Sequence, residues 1–235
     1  MMAKHILLTG AARGIGAAIA KRLENEGVKL IGLSSADGDL CDPATPARLW
    51  NDALERFGGR IDVLINNAGV FEANPLDGTD DEWATNWART MQINLTASTE
   101  LMRHAVKYWQ ARGQSKGRDG RIVNIASRAA HRGDSPSHWH YAASKAGMLG
   151  VTKTIARAYA AQSIYAFAIC PGFTMTGMAE DYVASRGGDK LLADIPLGRV
   201  AEADEVAEIA VFCALRAPPS MTGAVLDVNG ASYVR

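Results

Sequence analysis

A tyrosine and a lysine stand four positions apart in the segment "HWHYAASKAG", at Tyr141 and Lys145. Four residues are close to one turn of an α-helix, so both side chains would lie on the same face. A free tyrosine has a pKa of about 10 and is a poor base at neutral pH, but a nearby ammonium group favours the phenolate and lowers that pKa. The pair therefore suggests proton transfer by Tyr141, although exposed helical pairs without chemistry share this spacing.

A glycine-rich turn lies near the start of the chain, in "TGAARGIG", with Gly10, Gly14 and Gly16 between an apolar run and a helical pattern. Glycine lets a backbone approach a ligand closely, and the first turn of a helix offers free N–H groups to a phosphate. The spacing differs from the common G-x-G-x-x-G fingerprint. Taken alone, the turn is compatible with a phosphate site or with a simple strand–helix connection.

The elements that would position these residues follow from six short apolar runs, which alternate with longer amphipathic stretches. The runs are residues 5–10, 28–33, 61–69, 120–127, 163–172 and 224–230. Continuous apolar runs are typical of parallel strands buried on both faces, and the stretches between them predict crossover helices. We therefore predict an α/β fold: a Rossmann-type, doubly wound parallel sheet flanked by helices on both faces, in a single domain spanning residues 1–235. Ligands would bind at the carboxyl ends of the strands.

Composition narrows the class of partner. The 235 residues carry 25 basic and 25 acidic side chains, so no basic excess points to nucleic acid or to an anionic membrane. No run approaches the roughly 20 apolar residues of a membrane span, and the amino terminus lacks the pattern of a signal peptide. Three cysteines in no metal or disulfide spacing indicate a reducing compartment. We expect a cytoplasmic protein with a small-molecule partner and no metal.

Several motifs then combine. The segments "TGAARGIG", "NNAG", "MQINL", "NIAS", "YAASK" and "CPGF" follow one another, each at a strand end or a helix start. In this order they resemble the short-chain dehydrogenase/reductase family, most closely its bacterial 3-oxoacyl-[acyl-carrier-protein] reductase-like members. The resemblance covers about residues 5–230. It implies an oxidoreductase that transfers a hydride between a nicotinamide cofactor and a carbonyl or secondary alcohol.

The resemblance also implies a catalytic set of four residues. Tyr141 would be the general acid/base, and Lys145 would lower its pKa and bind the nicotinamide ribose. Ser127 would hold and orient the substrate oxygen. Asn94 would hold a water in a proton relay behind Lys145. By themselves, Asn94 and Ser127 are also compatible with a helix-bending amide and a turn residue.

Cofactor contacts are implied at the strand ends and in the glycine turn. Besides Tyr141 and Lys145, the expected residues are Gly10, Arg13, Gly14, Ile15, Gly16, Ser34, Ser35, Asp39, Leu40, Asn67, Ala68, Gly69, Pro171, Gly172, Thr174 and Thr176. Asp39 and Leu40 resemble the pair that touches the adenine, and Pro171 and Gly172 would shape the nicotinamide pocket. The stretch "ADGDL" is short where the family usually has a helix between its second and third strands, so the sheet edge near the adenine is trimmed.

The choice between NADP(H) and NAD(H) depends on the end of the second strand. An acidic residue there would bind the ribose 2′-OH of NAD. Ser34 and Ser35 stand at that point, and Arg13 could pair with a 2′-phosphate, which favours NADP(H). NAD(H) remains possible, because the short loop could bring Asp37 onto the ribose.

The substrate and the assembly are less constrained by the sequence. Residues 173–196 would form the substrate segment, and the His/Arg/Trp loop 128–140 would face the substrate or simply be solvated around one buried tryptophan. Alcohol, sugar and hydroxysteroid dehydrogenases of the same family are alternatives, as is a non-catalytic dinucleotide-binding redox sensor. The resemblance implies a tetramer or a dimer built on helices around residues 94–112 and 141–161, although these helices could instead be buried within the monomer.

Overall fold

The computed structural model describes residues 3–113, 119–175 and 192–235. Its centre is a sheet of six parallel strands in the order β2-β1-β3-β4-β5-β8. The strands are β1 (His5–Thr9), β2 (Lys29–Leu33), β3 (Val63–Asn66), β4 (Gly120–Ile125), β5 (Ile164–Pro171) and β8 (Val225–Val228). A separate two-stranded pair joins β6 (Thr174–Met175) to β7 (Ala201–Glu202). All six strands lie within the six apolar runs, so the predicted parallel sheet is confirmed.

Helices lie between the strands of this sheet. They are α1 (Gly14–Glu24), α2 (Thr45–Arg56), α3 (Asp80–Met91), α4 (Ala97–Ala111), α5 (Ala129–Arg132), α6 (Trp139–Tyr159) and α7 (Ala203–Leu215). A π-helix, Gln92–Thr96, joins α3 to α4, and 3₁₀ turns occupy Ala160–Gln162 and Pro219–Met221. None of the helices in the described ranges is long and apolar enough to cross a membrane.

Alternating side chains of the strands bury two separate cores. Leu7 of β1 packs with α2 and α4 on one face, whereas its neighbours Ile6 and Leu8 pack with α1 and α7 on the other. Successive strand residues point to opposite faces, so a strand covered on both sides must be apolar throughout. The predicted placement of helices on both faces of the sheet is therefore confirmed.

The sheet ends at β2, and helix α2 lies between β2 and β3, after the short stretch "ADGDL" for which the sequence predicts a trimmed edge. Residues 34–44 form turns between β2 and α2 and add no strand outside β2. The side chain of Leu40 packs against the core on the α2 face. The carboxyl ends of β1, β3, β4 and β5 consequently converge at one edge, with only these turns flanking it on the β2 side.

Candidate functional site

Ser127 and Tyr141 meet at the carboxyl edge of the sheet. Ser127 lies two residues beyond the end of β4, and its Oγ accepts a hydrogen bond from the Ala129 N–H at 3.1 Å. Tyr141 is in the first turn of α6, and the nearby Ser127 side chain favours its phenolate form and so acts to lower its pKa. Two hydroxyl groups from different elements thus share one point, where they could both contact a single oxygen atom of a substrate.

Lys145 lies one turn beyond Tyr141 on α6 and is buried. Its Nζ donates a hydrogen bond to the Ile125 carbonyl at the end of β4, at 2.9 Å. The same Nζ is 5.8 Å from the centre of the Tyr141 ring. The predicted common face for these two side chains is therefore present, and the ammonium group is fixed by the strand that also carries Ser127.

Asn94 occupies the π-helix between α3 and α4 and is fully buried. Its Oδ1 accepts from the Val70 N–H at 2.8 Å, and its Nδ2 donates to the Val70 carbonyl at 2.9 Å. The Nδ2 also donates to Ser144 Oγ at 3.4 Å. A π-turn widens the helix locally and is frequent at functional sites. Here it turns the amide toward the segment that follows the "NNAG" turn.

The protonation states differ from the sequence-based expectation. Burial raises the pKa of Tyr141 to about 12, and the nearby Ser127 side chain offsets only part of that rise. Burial also lowers the pKa of Lys145 to about 8. The predicted lowering of the Tyr141 pKa by Lys145 is therefore wrong for this arrangement. The Lys145 ammonium group is itself poorly solvated and is hydrogen-bonded to a carbonyl rather than to the phenol.

The glycine turn has the shape that a dinucleotide phosphate requires. Gly10 has a φ of +70°, and a Cβ there would lie 2.8 Å from Asn67 Nδ2; a Cβ on Gly16 would lie 1.9 Å from the Gly10 carbonyl oxygen. The first turn of α1 begins at Gly14, carries no acidic residue, and its N-cap residue, Arg13, makes no side-chain capping bond. Backbone N–H groups are thus left free at a positive helix end, which suits a pyrophosphate. Ile15 is packed against the core on the α1 face.

The "NNAG" turn brings the two halves of the site together. The backbone N–H groups of Asn67 and Ala68 both donate to Thr9 Oγ1 at 3.1 Å, and Asn67 Nδ2 donates to the Gly10 carbonyl at 3.0 Å. A Cβ on Gly69 would lie 3.1 Å from Asn94 Oδ1 and 3.6 Å from Lys145 Nζ. Gly69 therefore lies directly beside the proposed catalytic amide and amine.

At the end of β2, the carboxylate of Asp37 is already engaged by Ser34. Its Oδ2 accepts from the Ser34 backbone N–H at 2.7 Å and from Ser34 Oγ at 3.1 Å. Asp39 Oδ1 accepts from the Cys41 N–H, and the carbonyl of Leu40 accepts from Gln92 Nε2. Ser35 and Arg13 are exposed. An acidic candidate for the ribose thus lies at this strand end, and the basic candidate, Arg13, is exposed in the glycine turn.

The end of β5 supplies the remaining expected contacts. The carbonyl of Pro171 accepts from the Arg128 N–H, and the Gly172 N–H donates to the Val228 carbonyl, both at 2.9 Å. A Cβ on Gly172 would lie 2.9 Å from the backbone of Asn229. Thr174 is buried in β6, and its Oγ1 donates to the Gly172 carbonyl at 3.2 Å. Thr176 and most of the substrate segment, residues 176–191, lie outside the described residues.

The segment "HWH" before Tyr141 differs from the expectation of a solvated loop around one buried tryptophan. Trp139 is 54% exposed, whereas His138 and His140 are buried. His138 stacks on Phe71 at 4.0 Å and is hydrogen-bonded to Ser135 Oγ at 2.6 Å. Phe71 also meets the Tyr141 ring edge-on at 4.8 Å. The two histidines are thus packed at the start of α6, and Trp139 is the exposed member of the three.

Folding brings together three potential metal ligands that the sequence spacing does not connect. The ligand atoms of His131, Cys170 and Asp227 lie within 4.8 Å of one another. Asp227 is already paired with Arg235 at 3.0 Å. A guanidinium group at that distance opposes the binding of a second cation. The absence of a metal accordingly stays a prediction.

Three residues of the site are missed by sequence reasoning. Thr9 ties the glycine turn to the "NNAG" turn, Ser144 bridges Asn94 and the Tyr141 carbonyl, and Phe71 packs against the Tyr141 ring. Thr9 and Ser144 lie inside the motifs "TGAARGIG" and "YAASK", so their positions within those motifs could have marked them. Phe71 lies outside every motif, and its role depends on the tertiary packing of α6.

Comparison with known proteins gives matches along nearly the whole chain. The family model described as Enoyl-(Acyl carrier protein) reductase matches residues 33–231. The chain is 32% identical over 249 residues to 3-oxoacyl-[acyl-carrier-protein] reductase of Vibrio cholerae, covering 98% of each chain.

Two solved structures extend the comparison to the fold. A variant of actinorhodin polyketide ketoreductase with NADPH is 27% identical, with a TM-score of 0.83 over 98% of this chain and 97% of that one. The ligand-free aldohexose dehydrogenase of Thermoplasma acidophilum is 29% identical, with a TM-score of 0.85 over 99% and 95%. The similarity therefore includes both the glycine turn and the site around Tyr141.

Proposed function

Since the chain belongs to the short-chain dehydrogenase/reductase family and is an NAD(P)-dependent oxidoreductase acting on CH–OH groups, we propose that it interconverts a ketone and a secondary alcohol with NADP(H). The preferred substrates would be 3-oxoacyl-like compounds. The observation that carries the proposal is the position of Tyr141 beside Ser127 and Lys145 at the carboxyl edge of the sheet, with Lys145 Nζ 5.8 Å from the centre of the Tyr141 ring.

Each of the four residues has a distinct role in this proposal. The Ser127 hydroxyl donates a hydrogen bond to the substrate carbonyl oxygen and orients it. Tyr141, whose pKa is about 12, holds its proton at neutral pH and donates it to that oxygen as negative charge develops there. Lys145 would contact the nicotinamide ribose, and Asn94 would hold the water that returns a proton from bulk solvent. The high pKa of Tyr141 suits the reductive direction, which needs a general acid.

The cofactor would be held by the residues at the strand ends. The free N–H groups of the α1 amino terminus would bind the pyrophosphate. The remainder of the cofactor site would be lined by the "NNAG" turn, Pro171, Gly172 and Thr174. When bound, the nicotinamide supplies the hydride, while the protein supplies position and electrostatics. Thr176, two residues after Thr174 in the sequence, would be a further contact to the cofactor.

NADP(H) is the proposed cofactor because Arg13 is exposed in the glycine turn, because that turn contacts the end of β2 through the Ala11 N–H and the Leu33 carbonyl, and because the similar ketoreductase was solved with NADPH. NAD(H) is favoured by one observation, the position of the Asp37 carboxylate on Ser34. Michaelis constants for NADPH and NADH separate the two. Arg13→Ala should weaken the preference for NADPH, and an unchanged preference would exclude the role of Arg13.

The proposed function is tested by the loss of NADPH absorbance with a panel of ketones, sugars, oxosteroids and 3-oxoacyl thioesters. Tyr141→Phe should lose turnover by about a hundredfold or more, because the general acid is removed, while NADPH binding measured by fluorescence is retained. Tyr108→Phe is the matched control, since its hydroxyl contacts the Gly59 carbonyl far from the site. Turnover by Tyr141→Phe at the wild-type rate would refute the assignment.

The same panel tests the non-catalytic alternative. A redox sensor would bind NADPH tightly and turn over none of these substrates. The intact set of Asn94, Ser127, Tyr141 and Lys145 favours the enzyme.

A further inference from the structure

Arg128 places a buried positive charge next to the proposed catalytic serine. Its side chain is 9% exposed. Its backbone N–H donates to the Pro171 carbonyl at 2.9 Å, which ties it between the ends of β4 and β5. The guanidinium carbon lies 4.7 Å from the centre of the Phe173 ring. The charge thus lies where the segment after β5 leaves the sheet, one residue from the hydroxyl that would orient the substrate.

Nearby carboxylates only partly compensate this charge. Arg128 Nη1 is buried and has no hydrogen-bond partner among residues 3–113, 119–175 and 192–235. The nearest carboxylate oxygen in those ranges belongs to Asp194, 3.6 Å away, and the same oxygen accepts from Arg132 Nη1 at 2.7 Å. Asp134 is exposed, accepts from the Ser135 N–H and attracts Arg128 only from a greater distance. Two guanidinium groups therefore share one carboxylate at contact distance.

Burying a guanidinium group whose charge is only partly compensated costs free energy. A charged group without full hydrogen bonding carries the penalty of lost hydration. In agreement, burial and the neighbouring Arg132 lower the pKa of Arg128 from its usual value, although an arginine remains protonated at any ordinary pH. A second anion close to Ser127 would remove this penalty.

We propose that Arg128 binds a carboxylate group of the substrate, so that the enzyme prefers oxo acids and hydroxy acids whose carboxylate lies a few bonds from the reacting carbon. The planar guanidinium group can bind a carboxylate with two parallel hydrogen bonds. Contact with the Phe173 ring fixes its plane. This inference rests on the proposed carbonyl reduction and names its substrate class.

The test compares acetoacetate with ethyl acetoacetate, which share the ketone and differ in the charge. The wild-type kcat/KM with NADPH should be about ten- to a hundredfold higher for acetoacetate, the range expected for a hydrogen-bonded charge pair. Arg128→Met should remove this preference, mainly through KM for acetoacetate, and leave the ester within about threefold. Arg128→Lys keeps the charge but loses the two parallel N–H donors of the guanidinium group, so it should retain part of the preference for acetoacetate.

The matched control is Arg56→Met, which removes an exposed arginine at the carboxyl end of α2. This variant should keep the wild-type preference. An equal loss on both substrates in Arg128→Met would show that Arg128 only supports the fold, and would overturn the inference. A wild-type enzyme that does not discriminate between acid and ester would overturn it as well.

A binding measurement separates this inference from the proposed function. Protein saturated with NADP⁺ cannot reduce a ketone, so calorimetry gives the Kd of acetoacetate without turnover. Binding that depends on Arg128, with no turnover of any ketone, would support the carboxylate site and refute the proposed reaction. Turnover of the ester, with acetoacetate binding unaffected by Arg128→Met, would support the reaction and refute the carboxylate site.

Discussion

Lys145 carries an ammonium group that the fold buries, and this burial makes the stability of the protein depend on pH. Its pKa falls from 10.5 to about 8, so between these values the unfolded chain binds more protons than the folded one. The contribution of Lys145 to stability must then rise with pH across that interval and be lost as pH falls toward 8. From pH about 7 to about 10 the gain should reach about 2–3 kcal/mol.

Urea denaturation of the wild type and of Lys145→Met at these two pH values measures the gain. The free energy of unfolding of the wild type should rise by this amount relative to that of Lys145→Met, because methionine is a flexible side chain without a charge, while the raised pKa values of the Cys170 and Cys213 thiols act equally in both proteins. Lys107→Met, which removes an exposed ammonium of α4, should behave as the wild type does. A pH-independent difference between wild type and Lys145→Met would contradict the lowered pKa.

At the scale of single residues, the sequence identifies the candidates but not their environments. Tyr141 and Lys145 can be placed on one face because helical spacing is local information. The raised pKa of Tyr141 and the bond from Lys145 to the Ile125 carbonyl depend on which strands surround α6. Desolvation is a property of tertiary packing, and for this reason the predicted direction of the Tyr141 shift is wrong.

At the scale of elements, the turn between β1 and α1 depends on the absence of a side chain at Gly16. A Cβ there would lie 1.9 Å from the Gly10 carbonyl oxygen, so the strand and the helix would have to separate. We expect Gly16→Ala to lower the free energy of unfolding by about 2 kcal/mol or more, as overpacking does. It should also weaken NADPH binding. Urea unfolding and fluorescence titration measure the two effects.

Gly150 provides the control for this substitution. It lies within α6, and a Cβ there would meet nothing within 4 Å. Gly150→Ala should therefore stabilise the protein by about 0.5–1 kcal/mol, because alanine loses less backbone entropy in a helix. If the two variants proved equally stable, the close approach at Gly16 would not be the reason for a glycine there.

The elements themselves are predictable because their signals are local. Each of the six strands is a continuous apolar run, as strands covered on both faces must be. The π-helix at residues 92–96 is not predictable in this way, since its widened turn reflects the bonds that Asn94 makes to Val70. Likewise, α5 is only four residues long and is held by backbone contacts near Ser127.

At the scale of the whole molecule, a network of buried and half-buried ion pairs lies at the edge of the sheet opposite the proposed site. The amino edge of the sheet holds the buried Asp62 with Arg60 and Arg112, and Asp119 with Lys4 and Arg121. The carboxyl edge holds the proposed site. Composition can exclude a basic nucleic-acid surface, but which charges meet at which edge depends on the strand order.

The role of the apolar residues in α6, a helix for which the resemblance implies subunit contacts, also depends on how the chain folds. Met148, Leu149, Thr152, Ile155 and Ala156 are buried within the monomer, which accounts for the apolar character of this stretch without a partner. A tetramer or dimer stays a prediction. It would have to use the exposed positions of α4 and α6.

Asp62 joins three segments at the amino edge, and its substitution should affect stability and leave the site unchanged. Its carboxylate is fully buried and accepts from the His5 N–H at 3.0 Å and from Arg60 at 2.9 Å, with Arg112 at 3.2 Å. Burial alone would raise its pKa, but these donors outweigh burial and lower it. The stabilisation is therefore present above the ordinary aspartate pKa and is lost as pH falls below it.

Asp62→Asn should lower the free energy of unfolding at neutral pH by about 3 kcal/mol, since breaking a buried ion pair leaves the remaining charge uncompensated. KM for NADPH and for the ketone should not change, because the site lies at the opposite edge. Glu100→Gln removes one partner of the exposed Arg103 pair on α4 and should cost less than about 0.5 kcal/mol. Urea denaturation at neutral and acidic pH measures both variants. If Asp62→Asn and Glu100→Gln were equally stable, the network at Asp62 would not hold the amino edge together.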